Sequence, residues 1–316
     1  MKPRIAISVG DLNGVGIEIA LKSHQKILEF CRPIYCINSL MLNQATKLLG
    51  VQVPKNFEIF AIDGEFFIEA GKTTAQSGKY SYDSFLSAVK LCEQKSADAV
   101  VTMPIHKEAW MMAGIRYKGH TDLLRDYFKK DAIMMLGCQM MFVALFTEHI
   151  PLKDVASSIK YKKLKQFFLD LHSSISKEKI AVLGLNPHAG DNGVLGNEEL
   201  IITKAIKSAN LKIGFEQFVG PIVPDIAFTP RSRENFYYFV AMYHDQGLAP
   251  LKALYFDESI NISLNLPITR TSVDHGTAFD IAYKNIANTL SYENAIKSAV
   301  NFCYNQNIKQ KTSREI

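Results

Sequence analysis

Short apolar runs alternate with amphipathic segments along the first hundred residues of the chain. Residues 4–9, 33–37 and 57–62 form apolar runs of strand length, whereas residues 40–49 and 81–95 carry apolar side chains at helical spacing. Short apolar runs that separate helical segments are typical of strands whose two faces are both covered by helices. The alternation predicts an α/β fold with a largely parallel sheet flanked by helices.

The same alternation continues to the end of the chain. Further strand-length apolar runs lie at residues 97–103, 142–146, 179–185 and 238–243. Helical patterns lie at residues 162–175, 196–210 and 291–305. The longest uncharged run, residues 132–147, is too short to span a membrane and contains Gly137 and Gln139. It therefore predicts two buried strands joined by a Gly-Cys-Gln turn. We expect residues 309–316 to form a flexible tail.

Composition and charge exclude several classes of protein. The 316 residues are 47% hydrophobic and 21% charged, which is typical of a soluble globular protein. The net charge of +5 is small and its basic residues are dispersed, which argues against a nucleic-acid partner and is compatible with an anionic small substrate. Five scattered cysteines without a CxxC pair argue against a disulfide framework. With no signal-peptide pattern, we expect a cytoplasmic protein that does not bind membranes.

The first polar cluster follows a predicted strand, at the place where ligands collect in a parallel sheet. Its members His106, Lys107, His120 and Thr121 could reach one pocket. Other interpretations remain open for each of them. Lys107 fits a solvated lysine at a helix start, Thr121 or Asp122 could cap the next helix, and His120 could be a ligand contact or a packed core residue.

Three further histidines, His149, His188 and His244, each follow a predicted strand and are flanked by polar or turn residues. Their spacing matches no local metal motif, and a single histidine of this kind is more often structural. Their shared position at one edge of the predicted sheet favours a metal site. Three imidazoles with an open position suit zinc, with cobalt or manganese as alternatives.

Two glycine-containing turns are candidates for anion or cofactor binding. Residues 10–16 follow the first strand, but their glycines do not fit GxGxxG, so a tight structural turn is favoured over a nucleotide-phosphate loop. Residues 274–278 are predicted to open a helix that ends near Lys284. Glycine and threonine at a helix start suit an anion or a cofactor.

Three long segments of the sequence resemble a known enzyme family. Residues 186–190 (NPHAG), 241–248 (AMYHDQGL) and 270–278 (RTSVDHGTA) look like the signature segments of the 4-hydroxythreonine-4-phosphate dehydrogenase family. Residues 119–122 (GHTD) and the opening GDxxGxG pattern extend the resemblance over nearly the whole chain. The resemblance implies NAD-dependent oxidation of 4-phosphohydroxy-L-threonine to 2-amino-3-oxo-4-phosphooxybutanoate, which decarboxylates to 3-amino-2-oxopropyl phosphate, in pyridoxine and pyridoxal 5′-phosphate (vitamin B6) biosynthesis.

The resemblance also implies a fold, an assembly and roles for individual residues. It implies an isocitrate/isopropylmalate dehydrogenase-like fold in which residues 1–316 form two interleaved α/β subdomains, with the site in the cleft and shared between the subunits of a homodimer. The implied roles are metal binding for His149, His188 and His244, substrate binding for His120, Thr121, Lys252, Asn261 and Arg270, and cofactor binding for Asp274, His275, Gly276 and Thr277. NAD or NADP would be the cofactor, and zinc, magnesium or cobalt the metal. The residue that accepts the hydroxyl proton is not assigned.

Some positions depart from the family pattern, and other functions remain open. Leu12, Asn13 and Ile17 differ from the residues usual after the first Gly-Asp, Asp122 stands where glutamate is usual, and Asn265 stands where the family tends to have glycine. The nearest alternative is a dehydrogenase of a four-carbon sugar-acid phosphate such as a tetronate 4-phosphate. A metal-dependent lyase that does not use NAD is a further alternative.

Overall fold

The computed structural model describes residues 2–175 and 178–312, the last eight of them by their backbone alone. Within these ranges it contains the strands β1 Arg4–Ser8, β2 Arg32–Cys36, β3 Glu58–Phe60, β4 Ala99–Thr102, β5 Ile133–Cys138, β6 Met141–Leu145, β7 Ile180–Leu183, β8 Phe218–Ile222, β9 Tyr238–Ala241, β10 Ile260–Leu264 and β11 Thr269–Val273. The helices are α1 Gly16–Ile27, α2 Ser39–Leu49, α3 Ala75–Glu93, α4 Lys107–Met112, α5 His120–Phe128, α6 Val155–Ser158, α7 Tyr161–Ser174, α8 Glu198–Ile213, α9 Pro230–Asn235, α10 His244–Tyr255 and α11 Leu290–Thr312. No helix within these ranges is long and apolar enough to cross a membrane.

The chain divides into two compact units. The first unit comprises the residues up to Lys130, Ile260–Ile262 and the residues from Leu266 onward, and the second comprises Asp131–Ser259 and Ser263–Asn265. Strand β10 contributes residues to both units. Of the tail expected at residues 309–316, residues 309–312 belong to α11, and residues 313–316 lie outside the described residues.

In the first unit the strand order is β3-β2-β1-β4-β11, and β10 follows β11. The pairs β1–β2, β1–β4, β4–β11 and β2–β3 are all parallel, as the alternation of strands and helices predicts. Large aromatic side chains fill the interior, among them Tyr35, Phe85, Trp110 and Tyr292, each of which is fully buried. The carboxyl ends of β1, β4 and β11 therefore lie side by side at one edge of this sheet.

In the second unit the strand order is β5-β6-β9-β7-β8. Strands β5 and β6 form an antiparallel hairpin, which confirms the prediction of two buried strands in residues 132–147, and the other pairs are parallel. The core includes Val143, Leu183 and Phe239 from the sheet and Leu251 from α10. The carboxyl ends of β6, β9 and β7 are neighbours at one edge. The prediction of an α/β fold with a mostly parallel sheet is confirmed.

The structure contains strands that the sequence analysis did not predict, β8 among them, and it lacks one predicted helix. Strand β8 was not expected, because Gly220-Pro221 interrupts its pattern; it lies at the end of the strand order, where proline is tolerated since one side of the strand needs no hydrogen bonds. The helix predicted to open at residues 274–278 is absent. Instead the carbonyl of Thr277 accepts a hydrogen bond from the N–H of Val15 (3.0 Å), and Ala278 adopts a left-handed conformation that a helix cannot contain.

The departures from the family pattern are accommodated locally. Asn265 has φ 60°, a left-handed conformation that asparagine tolerates better than most residues, which explains how it can stand in place of glycine. The Asn13 side-chain amide donates to the carbonyl of Lys72 (2.8 Å), and its Oδ1 accepts from the N–H of Glu69 (2.9 Å). Asn13 therefore fixes the turn at residues 10–16 against the segment that precedes α3.

Candidate active site

The turn at residues 10–16 lies at the carboxyl end of β1 and is buried against protein. A Cβ atom on Gly10 would lie 2.3 Å from the carbonyl oxygen of Pro104, and one on Gly14 would lie 2.7 Å from the carbonyl oxygen of Thr277. Both contacts are shorter than atoms tolerate, so glycine is required by the close approach of neighbouring backbone. These contacts support the interpretation as a structural turn over that as a phosphate loop.

His106 and Lys107 have structural surroundings. His106 is the N-cap of α4, where its Nδ1 accepts from the N–H of Ala109 (3.4 Å), and its ring stacks on Phe279 with the centroids 4.8 Å apart. Lys107 is exposed at the first position of α4. The interpretation of Lys107 as a solvated lysine at a helix start therefore agrees with its position.

His120 and Arg270 are brought together in the first unit, although 150 residues separate them. Arg270 lies on β11, and its side chain is buried, with the residue 3% exposed. Its Nη2 donates to Oγ1 of Thr102 (2.7 Å) and to Nδ1 of His120 (3.1 Å). Thr102 ends the neighbouring strand β4. We call Thr102, His120 and Arg270 the arginine cluster.

The hydrogen bonds of the arginine cluster fix the tautomer of His120. Arginine carries donors only, so Nδ1 of His120 must be the acceptor and the ring proton must lie on Nε2. Burial and the charge of Arg270 lower the pKa of His120 well below its usual value, so the ring is neutral at physiological pH. Its Nε2 is buried and has no hydrogen-bond partner among the described residues. The cluster therefore presents an N–H donor that needs an acceptor from a ligand.

A helix start adds further donors beside His120. Helix α5 begins at His120 after Gly119, without a side-chain cap, and Thr121 is buried in its first turn. The capping interpretation for Asp122 is partly met, since its Oδ2 accepts from the N–H of Lys118 (3.1 Å). A helix N-terminus beside a buried guanidinium and a histidine N–H favours an anion.

The burial of Arg270 makes this preference stronger. Burial lowers the pKa of the Arg270 guanidinium to about 9, so the side chain remains charged at neutral pH. A phosphate accepts hydrogen bonds from a guanidinium and would offset its charge. In its chemistry, the arginine cluster is therefore suited to a phosphate group.

Asn261 and His275 also carry buried polar atoms in the first unit. Oδ1 of Asn261, on β10, and Nε2 of His275 have no hydrogen-bond partner among the described residues. Nδ1 of His275 lies 2.9 Å from the carbonyl oxygen of Gly276 and must donate to it, so Nε2 is an acceptor in the neutral ring. Because the expected helix at this segment is absent, Asp274, Gly276 and Thr277 do not form a helix N-terminus. A cofactor contact here would use side chains and loop backbone.

The three histidines proposed as metal ligands follow adjacent parallel strands of the second unit. His149 follows β6, His244 follows β9 and His188 follows β7, and β9 pairs in parallel with both of its neighbours. His149 and His188 are exposed, and His244 is half-buried as the first residue of α10. The fold therefore places all three on one edge of the sheet.

Two of these histidines are close enough to share a metal ion. The ring centroids of His149 and His244 are 5.5 Å apart. Two imidazoles on one tetrahedral zinc have ring centres about 5 Å apart at the usual Zn–N distance. Nδ1 of His244 donates to Oδ1 of Asp245 (2.8 Å), which leaves Nε2 available as a ligand, an arrangement usual for metal-bound histidine. The pair fits a metal ion by distance and by donor chemistry.

His188 is not brought to this pair. No three His, Cys, Asp or Glu side chains within residues 2–175 and 178–304 are arranged to hold a metal ion. His188 instead lies in an exposed loop in which His188, Ala189, Asp191 and Asn192 all have positive φ, as does Gly190. Non-glycine residues avoid this conformation, and strain of this kind concentrates at functional sites.

Lys252 lies on α10, with its Nζ 5.3 Å from the centre of the Phe256 ring.

Thr102 was missed by the sequence analysis, although a polar residue at the end of the buried strand β4 was an available signal. Gln246 and Glu199 were also missed; both bond the backbone of loops that carry proposed metal ligands.

Comparison with known proteins identifies relatives over nearly the full length. The model of the family described as "Pyridoxal phosphate biosynthetic protein PdxA" matches residues 29–299. The 4-hydroxythreonine-4-phosphate dehydrogenase of Sulfurimonas denitrificans is 76% identical over 299 residues, which cover 95% of this chain and 97% of that protein. The protein of the same name from Campylobacter fetus is 58% identical over 302 residues, which cover 95% of this chain and 98% of that protein.

Solved structures agree with this relationship. The crystal structure of 4-hydroxythreonine-4-phosphate dehydrogenase from Klebsiella pneumoniae has a TM-score of 0.82 at 31% identity and covers 96% of this chain and 98% of that one. A terephthalate 1,2-cis-dihydrodiol dehydrogenase from Burkholderia xenovorans has a TM-score of 0.67 at 22% identity, over 95% of this chain and 98% of that one. The second similarity establishes the fold alone.

Proposed function

This chain belongs to the PdxA family of pyridoxal phosphate biosynthetic proteins, and we propose that it catalyses the NAD-dependent oxidation of 4-phosphohydroxy-L-threonine. The secondary alcohol would lose two electrons and two protons, with hydride transferred to NAD or NADP, to give 2-amino-3-oxo-4-phosphooxybutanoate. That β-keto acid would then lose carbon dioxide to give 3-amino-2-oxopropyl phosphate. The name carried by relatives at 76% and 58% identity supports this substrate over a tetronate 4-phosphate.

The arginine cluster is the observation that carries the proposal. A phosphate group would accept hydrogen bonds from the Arg270 guanidinium, from Nε2–H of His120 and from the first turn of α5 at Thr121. These donors are fixed before the substrate binds, so little ordering free energy is lost on binding. We propose Lys252 and Asn261 as further substrate contacts, with Oδ1 of Asn261 as a buried acceptor.

We propose that His149 and His244 hold a divalent metal ion. Imidazole donors favour zinc or cobalt over magnesium, which prefers oxygen ligands. A divalent ion, when bound there, supplies positive charge that stabilises negative charge on the substrate in the oxidation and in the decarboxylation. Asp245 orients the ring of His244 through its hydrogen bond to Nδ1.

We propose that His188 reaches the metal site of a partner subunit in a homodimer. Its loop is exposed and is followed by the exposed apolar side chains Val194, Leu195 and Leu200. Exposed apolar clusters of this kind are typical of protein interfaces. A twofold dimer would place the same loop of each subunit at the other subunit's histidine pair, so one contact would complete two sites.

We propose that the nicotinamide cofactor contacts residues 274–277, where the lone pair of His275 Nε2 is a buried acceptor. Because the turn at residues 10–16 is packed against protein, residues 274–277 are favoured over an N-terminal phosphate loop as the cofactor contact. Whether NAD or NADP is used would be found by titrating both.

Spectrophotometric assay of NADH formation tests the proposed reaction. Purified protein loaded with zinc or cobalt should reduce NAD in the presence of 4-phosphohydroxy-L-threonine and release carbon dioxide, and chelation of the metal should stop it. A tetronate 4-phosphate assayed in parallel should be a poor substrate. If the folded, metal-loaded protein forms no NADH with 4-phosphohydroxy-L-threonine, the proposal is wrong. A cofactor-induced thermal shift would separate the dehydrogenase from a lyase that does not use NAD.

Complementation between inactive variants tests the shared metal site. His188→Ala and His244→Ala should each be inactive, because each removes one proposed ligand. When the two are unfolded and refolded together, half of the dimers are mixed and one of their two sites is intact, so about a quarter of wild-type activity should return. A mixture that stays inactive while wild-type protein refolds to full activity would contradict His188 as a ligand from the partner subunit.

A further inference from the structure

We propose that a hydrogen-bonded frame links the three strand ends that carry His149, His188 and His244 and positions these histidines for the metal ion. The side chains of the frame are Thr147, Gln246 and Glu199. None of them is a proposed ligand; each acts on the backbone that carries one. The inference rests on the proposed function and adds positioning residues to its metal site.

Thr147 joins the ends of β6 and β9. Its Oγ1 donates to the carbonyl of Met242 (2.6 Å), and its N–H donates to the same carbonyl (3.2 Å). Thr147 is buried and lies two residues before His149, while Met242 lies two residues before His244. The two bonds therefore fix the separation of the histidine pair at the point where both chains leave the sheet.

Gln246 joins the ends of β9 and β7. Its Oε1 accepts from the N–H of Met242 (2.7 Å), and its Nε2 donates to the carbonyl of Gly184 (2.7 Å). These partners determine the orientation of the amide, since only the nitrogen can donate to a carbonyl. Gln246 follows His244 by two residues, and Gly184 begins the segment that leads to His188.

Glu199 holds the strained loop that presents His188. Its Oε1 accepts from the N–H groups of Leu185 (2.9 Å) and Asn186 (2.7 Å), and its Oε2 accepts from Nδ2 of Asn186 (2.9 Å). The carboxylate is buried in the first turn of α8, where the helix dipole also favours its charge. A Cβ atom on Gly190 would lie 2.6 Å from Oε2, so the loop is packed directly on this carboxylate.

The strain in the loop explains why such a carboxylate is needed. The left-handed run from His188 to Asn192 persists only if surrounding contacts fix it. Glu199 fixes the residues just before this run through its three hydrogen bonds to Leu185 and Asn186, and it packs against Gly190 within the run. Without its charge the loop should relax, and the imidazole of His188 should lose its fixed direction. Residues that orient ligands typically change metal affinity by about 10–100-fold when altered.

Matched variants separate positioning from general stability. Thr147→Val removes the hydroxyl at nearly constant volume, whereas Thr147→Ser keeps it. Gln246→Glu and Glu199→Gln exchange an amide and a carboxylate at constant shape. Gln139→Glu and Glu216→Gln make the same exchanges at exposed positions of the second unit and serve as controls.

Titration of each metal-free protein with cobalt, followed by calorimetry and by the visible spectrum of the bound ion, tests the frame. Thr147→Val, Gln246→Glu and Glu199→Gln should bind cobalt about 10–100-fold more weakly than wild type, with an altered spectrum and an unchanged far-ultraviolet circular dichroism. Thr147→Ser and the two control variants should bind as wild type does. If wild type binds and the three frame variants bind equally well, the frame is wrong. If wild type binds no divalent ion, the proposed metal site fails and the frame fails with it.

Discussion

Replacing Arg270 with methionine should make the protein more stable while it abolishes phosphate binding. The guanidinium is 3% exposed, and burial lowers its pKa to about 9. A tenfold change in an ionisation equilibrium corresponds to about 1.4 kcal/mol, so burial of this charge disfavours the folded state by roughly 5 kcal/mol. The penalty is present in full at pH 7, because the folded and the unfolded pKa both lie above that pH.

Methionine has a similar length and no charge, so the substitution removes this penalty. It also removes the hydrogen bonds to Thr102 and His120, each worth about 1.5 kcal/mol to a charged group. The desolvation penalty exceeds these two bonds, so Arg270→Met should be more stable than wild type by up to about 2 kcal/mol, or roughly 4–8 °C in Tm. Buried charges in other proteins behave in this way when apolar residues replace them.

Urea unfolding at pH 7 without ligands measures the change, and fluorescence reports on the first unit because Trp110 is the single tryptophan of the sequence. The exposed Arg116→Met is the control and should stay within about 0.5 kcal/mol of wild type. Inorganic phosphate should raise the stability of wild type by mass action and leave Arg270→Met unchanged. If Arg270→Met is less stable than wild type by about 1 kcal/mol or more, the desolvation reasoning is refuted.

Three further predictions concern the first unit. Burial lowers the pKa of His24, so the unfolded chain binds a proton at this residue at a higher pH than the folded protein does. The free energy of unfolding should therefore fall as the pH drops below about 6.5. In urea unfolding between pH 7 and 5, His24→Gln should show a weaker dependence of this free energy on pH. In Gly78→Ala the new Cβ would lie 2.1 Å from the carbonyl oxygen of Ala109. The free energy of unfolding should therefore fall by about 1–3 kcal/mol, and unchanged stability would contradict this close approach. Trp110 meets His120 edge-on with the ring centroids 5.7 Å apart, so its fluorescence should change saturably with phosphate in wild type and stay constant in His120→Phe.

Much of the second unit's site geometry could be anticipated because it follows from strand periodicity. Each of His149, His188 and His244 follows a buried run, and parallel strands end at one edge, so their common edge follows from local pattern. The conformation of the His188 loop could not be anticipated from the local pattern, since the loop packs on Glu199, which lies on the next helix. The helix expected after Val273 does not form for a similar reason, because the hydrogen bond from Val15 in the turn at residues 10–16 to Thr277 holds the segment in a non-helical conformation.

The sequence by itself determined the alternation of elements, the family and the types of residue available for chemistry. These depend on the order of side chains along the chain, which local periodicity and motifs preserve. The tertiary structure decided which of those residues meet. Arg270 and His120 are 150 residues apart, and only the placement of β11 beside β4 brings the guanidinium to the start of α5. The charge states follow from the same packing, since burial keeps His120 neutral and lowers the pKa of the charged Arg270.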